Sequence, residues 1–152
     1  MSDLGFNSPK ATVLVVDDLP EMQRYLRALL EADSYAVETA SDGHEALQIL
    51  GRGWVPQVVL LDLQMPGMDG LETLQKLQQF RPSLKVIMCS GVDDPVKILE
   101  ACALGACAFL VKPIQHLYLS AAIERCLHEI PAKRPAGHLG VHVVVLPSPS
   151  AP

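Results

Sequence analysis

The chain predicts an α/β fold: a parallel β-sheet with helices on both faces. Three observations carry that expectation. Five short segments read as strands, and four of them are almost wholly apolar, as strands buried on both faces must be. Each is followed by a segment whose apolar residues recur at helical spacing. With 49% apolar and 19% charged residues among 152, the chain is long and apolar enough to bury one substantial core. Strands alternating with helices imply right-handed crossovers between parallel neighbours. Periodicity alone leaves the strand order open.

"TVLVVD" (12–17) is the first strand. "PEMQRYLRALLEAD" follows, with Met22, Leu26, Leu29 and Leu30 on one stripe and Pro20 tolerated in the first turn. "YAVETA" (35–40) is a short second strand, and "SDGHEALQIL" (41–50) a helix with Ala46, Leu47 and Leu50 facing inward. "QVVLLD" (57–62) is the third strand; after a Met/Pro/Gly loop, Leu71, Leu74 and Leu77 mark the third helix. "KVIMCS" (85–90) is the fourth strand. In "DDPVKILEACALG" Asp94 serves as N-cap, Pro95 takes the first helical position and Gly105 ends the helix. "CAFLVK" (107–112) is the fifth strand. The last helix runs from about 115 to 129 and turns Leu119, Ala122, Ile123, Cys126 and Leu127 to one side.

These elements divide the chain into an N-terminal extension (1–10), one domain (11–130) and a Pro-rich tail (131–152). The tail holds five of the twelve prolines, Lys133 and Arg134, and no acid, so all 17 acidic residues belong to the rest. It reads as flexible or artificially appended. Its one β-prone stretch, "VHVVVL" (141–146), suits a sheet edge, a partner or neither. A net charge of −5 argues against nucleic-acid binding. Without a signal peptide or an 18-residue apolar run, the chain is expected to be cytoplasmic and not membrane-bound. Cys89, Cys102, Cys107 and Cys126 form no C-x-x-C pair and read as free thiols. His138 and His142 lie among Gly and Pro and suggest no metal site.

Ligands of open parallel sheets bind beyond the C-terminal strand ends. There the sequence places Asp17 and Asp18, Asp62, Ser90 and Gly91, and Lys112 and Pro113. Neighbouring carboxylates repel each other unless a cation sits among them. Oxygen donors without His or Cys suit a hard ion, Mg²⁺ (or Mn²⁺). Lys112 adds a mobile positive charge, Ser90 a hydroxyl, and Gly91 room for close approach of a backbone N–H. Such a site suits a phosphoryl group carried by a carboxylate. Taken singly, each residue has a plainer reading. Asp17 and Asp18 could be helix N-terminal acids, Asp62 a turn cap, Ser90 a satisfied hydroxyl, and Lys112-Pro113 only a turn.

"VLVVDD", "VVLLDLQMPGMDG", "VIMCSG" and "AFLVKP" together resemble the receiver domain of two-component response regulators, over about residues 11–130. The resemblance implies a flavodoxin-like fold with a five-stranded sheet in order 2-1-3-4-5. It implies that a histidine kinase or phosphotransfer protein delivers phosphate to Asp62. Asp18, Asp62 and the main-chain carbonyl of Gln64 would ligate Mg²⁺, with Asp17 acting through water. Lys112 would pair with the phosphoryl group, its bond to Pro113 being cis, and Ser90 and Phe109 would form the switch. Phe109 as mere core filler is the plainer alternative. The output surface would be that of the fourth helix, fifth strand and fifth helix, acting on an unidentified partner as a monomer or a phosphorylation-dependent homodimer. Gln64 and Val92 would tune dephosphorylation; Val92 cannot orient a water, which implies slow loss of phosphate. The resemblance implies a signalling phosphoacceptor rather than an enzyme with an external substrate. A phosphohydrolase would want an acid where Gln64 stands. A flavin module would want a hydroxyl- and Gly-rich loop where "DDLPEM" stands. The chain could also be the receiver part of a larger regulator.

Overall fold

The computed structural model describes residues 8–91 and 94–128, and the backbone of 144–146. Strands β1 (Thr12–Val16), β2 (Ala36–Ala40), β3 (Val58–Asp62), β4 (Lys85–Ser90) and β5 (Ala108–Val111) alternate with helices. Those helices are α1 (Pro20–Ala32), α2 (Gly43–Gly51), α3 (Gly70–Phe80), α4 (Pro95–Ala103) and α5 (His116–His128). The expected order, β2-β1-β3-β4-β5, is present with every pair parallel. One element departs from the five-stranded expectation. Val144–Leu146 forms a sixth strand, β6, parallel to β5 and in register Ala108↔Val144, Phe109↔Val145 and Leu110↔Leu146. Of the readings open for "VHVVVL", its last three residues take the sheet edge; the other tail residues lie outside those described.

Two cores sandwich the sheet. On one face Leu14, Val16, Val59, Leu61, Val86, Met88 and Phe109 meet α2, α3 and α4. On the other, Val13, Val15, Val58, Leu60, Ile87 and Leu110 meet Leu26 and Leu30 of α1 and Leu119, Ala122, Ile123 and Cys126 of α5. This alternation is the period-two pleat of a strand buried on both sides. At about 25 cal/mol per Å² these interiors supply the main drive for folding. In α2 the buried positions are Gly43, Ala46, Ile49 and Leu50, whereas Leu47 is only partly buried against the core. Shifting the helix's inward stripe to Ile49 corrects the expectation for Leu47.

Local signals fix the helix starts. Asp42, Asp69 and Asp94 each accept an N–H from the first turn, at 2.8, 2.8 and 3.0 Å, contacts worth about 1 kcal/mol apiece. Gly105 (φ +101°) ends α4 in the left-handed region. Because β1 lies between β2 and β3, the chain leaves β1 in one direction and later returns on its other side. That reversal opens a crevice at the C-terminal ends of β1 and β3.

Candidate functional site

The crevice gathers the acids. Every residue of β3 is buried, Asp62 included at 5% exposure, and Asp17 is 2% exposed. Asp17, Asp18 and Asp62 each offer a carboxylate oxygen, and these oxygens lie within 4.8 Å of one another. Lys112, reaching in from the end of β5, puts Nζ 3.1 Å from Asp17 Oδ2 and 3.5 Å from Asp62 Oδ1. One ammonium thus pairs with two of the three clustered carboxylates.

The two buried aspartates also hold their own backbones. Leu19 N–H donates to Asp17 Oδ1 (2.9 Å), and Gln64 N–H donates to Asp62 Oδ1 (3.2 Å). Each is a side-chain turn two residues long. The plainer readings of these acids, as turn and helix-start residues, are therefore realised alongside the clustering. Gln23 Nε2 donates to the Asp17 carbonyl at 2.7 Å and anchors the start of α1 beneath it.

Burial pushes the Asp62 carboxyl above the ordinary aspartate value, and Asp17 adds to the rise; Lys112 and the Gln64 N–H pull it down without cancelling it. Burial alone would lower the Lys112 ammonium, but Asp62 and Asp17 outweigh it and hold the group above the usual lysine value. Cys89, opposite Asp62 in the β3–β4 register, has its thiol pushed up to about 12 by burial. It is inert as a nucleophile at neutral pH. None of the four cysteines is in a disulfide, as expected.

The loop after Asp62 is built on a pattern that strand and helix spacing do not reveal. Leu63, Met65 and Met68 are buried while Gln64, Pro66 and Gly67 face out, so alternate side chains anchor the loop to the core. Gly70 lies against it: a Cβ there would collide with the Asp62 carbonyl oxygen and with Leu63 Cα. Its N–H donates to the Leu63 carbonyl at 3.0 Å. The Met/Pro/Gly composition marks a loop here but not this close approach.

The other candidates fall as follows. Ser90, fully buried, ends β4 opposite Val111. Gly91 is exposed, and a Cβ there would meet nothing within 4 Å, so the chain's own packing does not demand glycine. Phe109 is fully buried in the α2–α4 core. The Lys112–Pro113 peptide is cis. Gln64 is exposed at the crevice mouth, in a groove that also holds Pro66, Asp94 and Lys97. Val92 lies outside the described residues, as do His138 and His142.

Three carboxylates with no His or Cys among them fit a hard divalent cation, and a +2 ion would reverse the local charge deficit. Among the described residues no other cluster has this make-up. No described helix is long and apolar enough to cross a membrane.

Residues 13–124 match the family described as the response regulator receiver domain. The chain is 37% identical over 116 residues to the response regulator PleD of Caulobacter vibrioides, covering 75% of this chain and 25% of PleD. It thus spans about a quarter of that relative. The chemotaxis protein CheY of Listeria monocytogenes is 36% identical over 114 residues, covering 74% of this chain and 95% of that protein. The solved structure of Vibrio cholerae CheY4 superimposes with a TM-score of 0.72 at 32% identity, covering 77% of this chain and 98% of that one.

Proposed function

Because the chain belongs to the response regulator receiver domain family of two-component signalling, we propose that Asp62 is its phosphoacceptor. The cluster itself supports this most directly: Asp62 is held with Asp17 and Asp18 within 4.8 Å, and Lys112 Nζ lies 3.5 Å from its carboxylate. The donor is a phosphohistidine of a histidine kinase or phosphotransfer protein. An Asp62 carboxylate oxygen attacks phosphorus, an O–P bond forms, the N–P bond breaks, and the imidazole leaves with the electron pair and takes up a proton. Later attack by water on phosphorus releases inorganic phosphate and restores the carboxylate. The family is one of signalling switches rather than enzymes with an external substrate.

Asp18, Asp62 and the Gln64 carbonyl would hold Mg²⁺ or Mn²⁺, with Asp17 acting through water; when bound, the ion offsets the charge of the phosphoryl oxygens. Lys112 turns from the carboxylates to the new phosphoryl oxygens, which carry about −2 charge. Ser90 donates its hydroxyl and Gly91 its N–H to the same oxygens. Ser90 is drawn toward the site, and the neighbouring Phe109 responds, altering the α4–β5–α5 surface that meets a partner or a second copy. Gln64 and Val92 flank the path of the attacking water. Val92→Glu is expected to shorten the lifetime of the phosphorylated form, followed by loss of the phosphoryl mass; a longer lifetime would reject that assignment.

Intact-mass measurement after acetyl phosphate and Mg²⁺ tests the reading. The native chain should gain one phosphoryl group and Asp62→Asn none. An equal gain in both would refute it.

A further inference from the structure

The β5–β6 connection has an unusual hand. β4–α4–β5 and β5–α5–β6 both advance one strand in the same direction across the sheet. Yet α4 packs on one face through Ala101, and α5 packs on the other through Leu119, Ala122, Ile123 and Cys126. Two crossovers that advance alike on opposite faces have opposite hands. β1–α1–β2 runs the other way on the α5 face and so shares the hand of β3–α3–β4 and β4–α4–β5. β6 alone among the neighbouring pairs is joined with the disfavoured hand, a class that makes up only about 2% of such connections.

A strand attached this way is not one more repeat of the alternating unit. It is an extended segment laid on an edge that five strands already present. We propose that the free edge of β5 is a strand-addition site and that residues 144–146 of the same chain are its resting, displaceable occupant. The reach is short. α5 runs back against the strands and ends at His128, at the end of the sheet where a strand parallel to β5 must begin. Residues 129–143 are long enough to bridge from there to the β5 edge, since an extended chain spans about 3.3 Å per residue. Charge favours the same occupant, because Lys133 and Arg134 sit in a segment without acids and all 17 acidic residues lie within residues 1–130. Among the described residues three pairs hold this strand, fewer than the four or five that join each other neighbouring pair, so it is the strand most readily released.

The consequence rests on the proposed function. β6 pairs with the backbone of Phe109 and occupies the middle of the α4–β5–α5 face, where an output partner would dock. Exposed Val96 and Leu99 of α4 and Leu117 of α5 belong to the helices flanking that strand. β6 would therefore hold the face closed until a partner or second copy displaces it.

Hydrogen exchange on the unphosphorylated full chain tests the occupancy, whatever becomes of Asp62. Val145→Pro removes an N–H and stiffens the segment. It should speed exchange of the 108–111 backbone by about tenfold or more, leaving β1 and β3 unchanged at every protein concentration. Equal exchange in both chains would overturn the proposal, as would loosening of β1 and β3 together with β5. Protection of 108–111 that grows with protein concentration would also overturn it, since the occupant would then be a second copy.

Discussion

Two regions of this protein use the same chemical parts to opposite effect. At the seam between α1 and α5, Asp33 accepts from Ser120 Oγ (2.6 Å) and pairs with His116 Nε2 (2.8 Å). Glu124 accepts from Tyr35 OH (2.9 Å) and pairs with His128 Nε2 (3.1 Å). Every carboxylate there has its own donors and access to water. The Ser120 hydroxyl, helped by His116, holds Asp33 below the ordinary aspartate value against the opposing effect of burial. In the crevice, burial drives Asp62 the other way, and one lysine is shared between it and Asp17. In the seam the neighbours lower a carboxylate's pKa; in the crevice burial raises it.

The contrast can be broken by mutation. Lys112→Met strips the crevice of its cation and should cost about 2–4 kcal/mol in urea unfolding with chelator present, much of it regained with Mg²⁺. A loss that Mg²⁺ cannot repair would mean that Lys112 is structural only. Gly70→Ala should cost about 2 kcal/mol by forcing the loop off Asp62, and should weaken Mg²⁺ binding in calorimetry. Unchanged affinity would show that the loop does not position the site.

The seam gives the smallest effect. Asp33→Asn should lose less than about 1 kcal/mol at pH 7, since the pair is partly solvated. The sign follows from linkage: a lowered folded pKa contributes stability above the unfolded value of 3.8, lost as pH falls through the folded pKa. The gap between native and Asp33→Asn should therefore narrow below pH 3.8. A gap that widens there would reverse the assignment.

Legibility in the sequence followed the physics. Strands buried on both faces announce themselves by composition, so β1, β3, β4 and β5 and their terminal Asp, Ser and Lys residues stood out. The strand order came from the motif resemblance, because periodicity says which face a residue takes and nothing of neighbours. Ile49 and Leu47 flank the same helical stripe, and only the packing of α2 against α3 decides between them. Gly70 escaped notice because its need is a tertiary approach to Asp62 rather than a backbone angle. The place of "VVL" beside β5 was undecided because a β-prone segment after a Pro-rich stretch carries no record of which edge it meets.

Without a cation beside it, Asp62 is expected to oppose the fold. Its raised folded pKa means stability present at low pH and lost as pH rises through that value. Urea unfolding of native protein and Asp62→Asn at pH 7, with chelator and then with saturating Mg²⁺, measures this directly. Asp62→Asn should be the more stable in chelator, and the native chain the more stable in Mg²⁺. Asp62→Asn being the weaker protein in chelator, or an order that Mg²⁺ fails to invert, would contradict it.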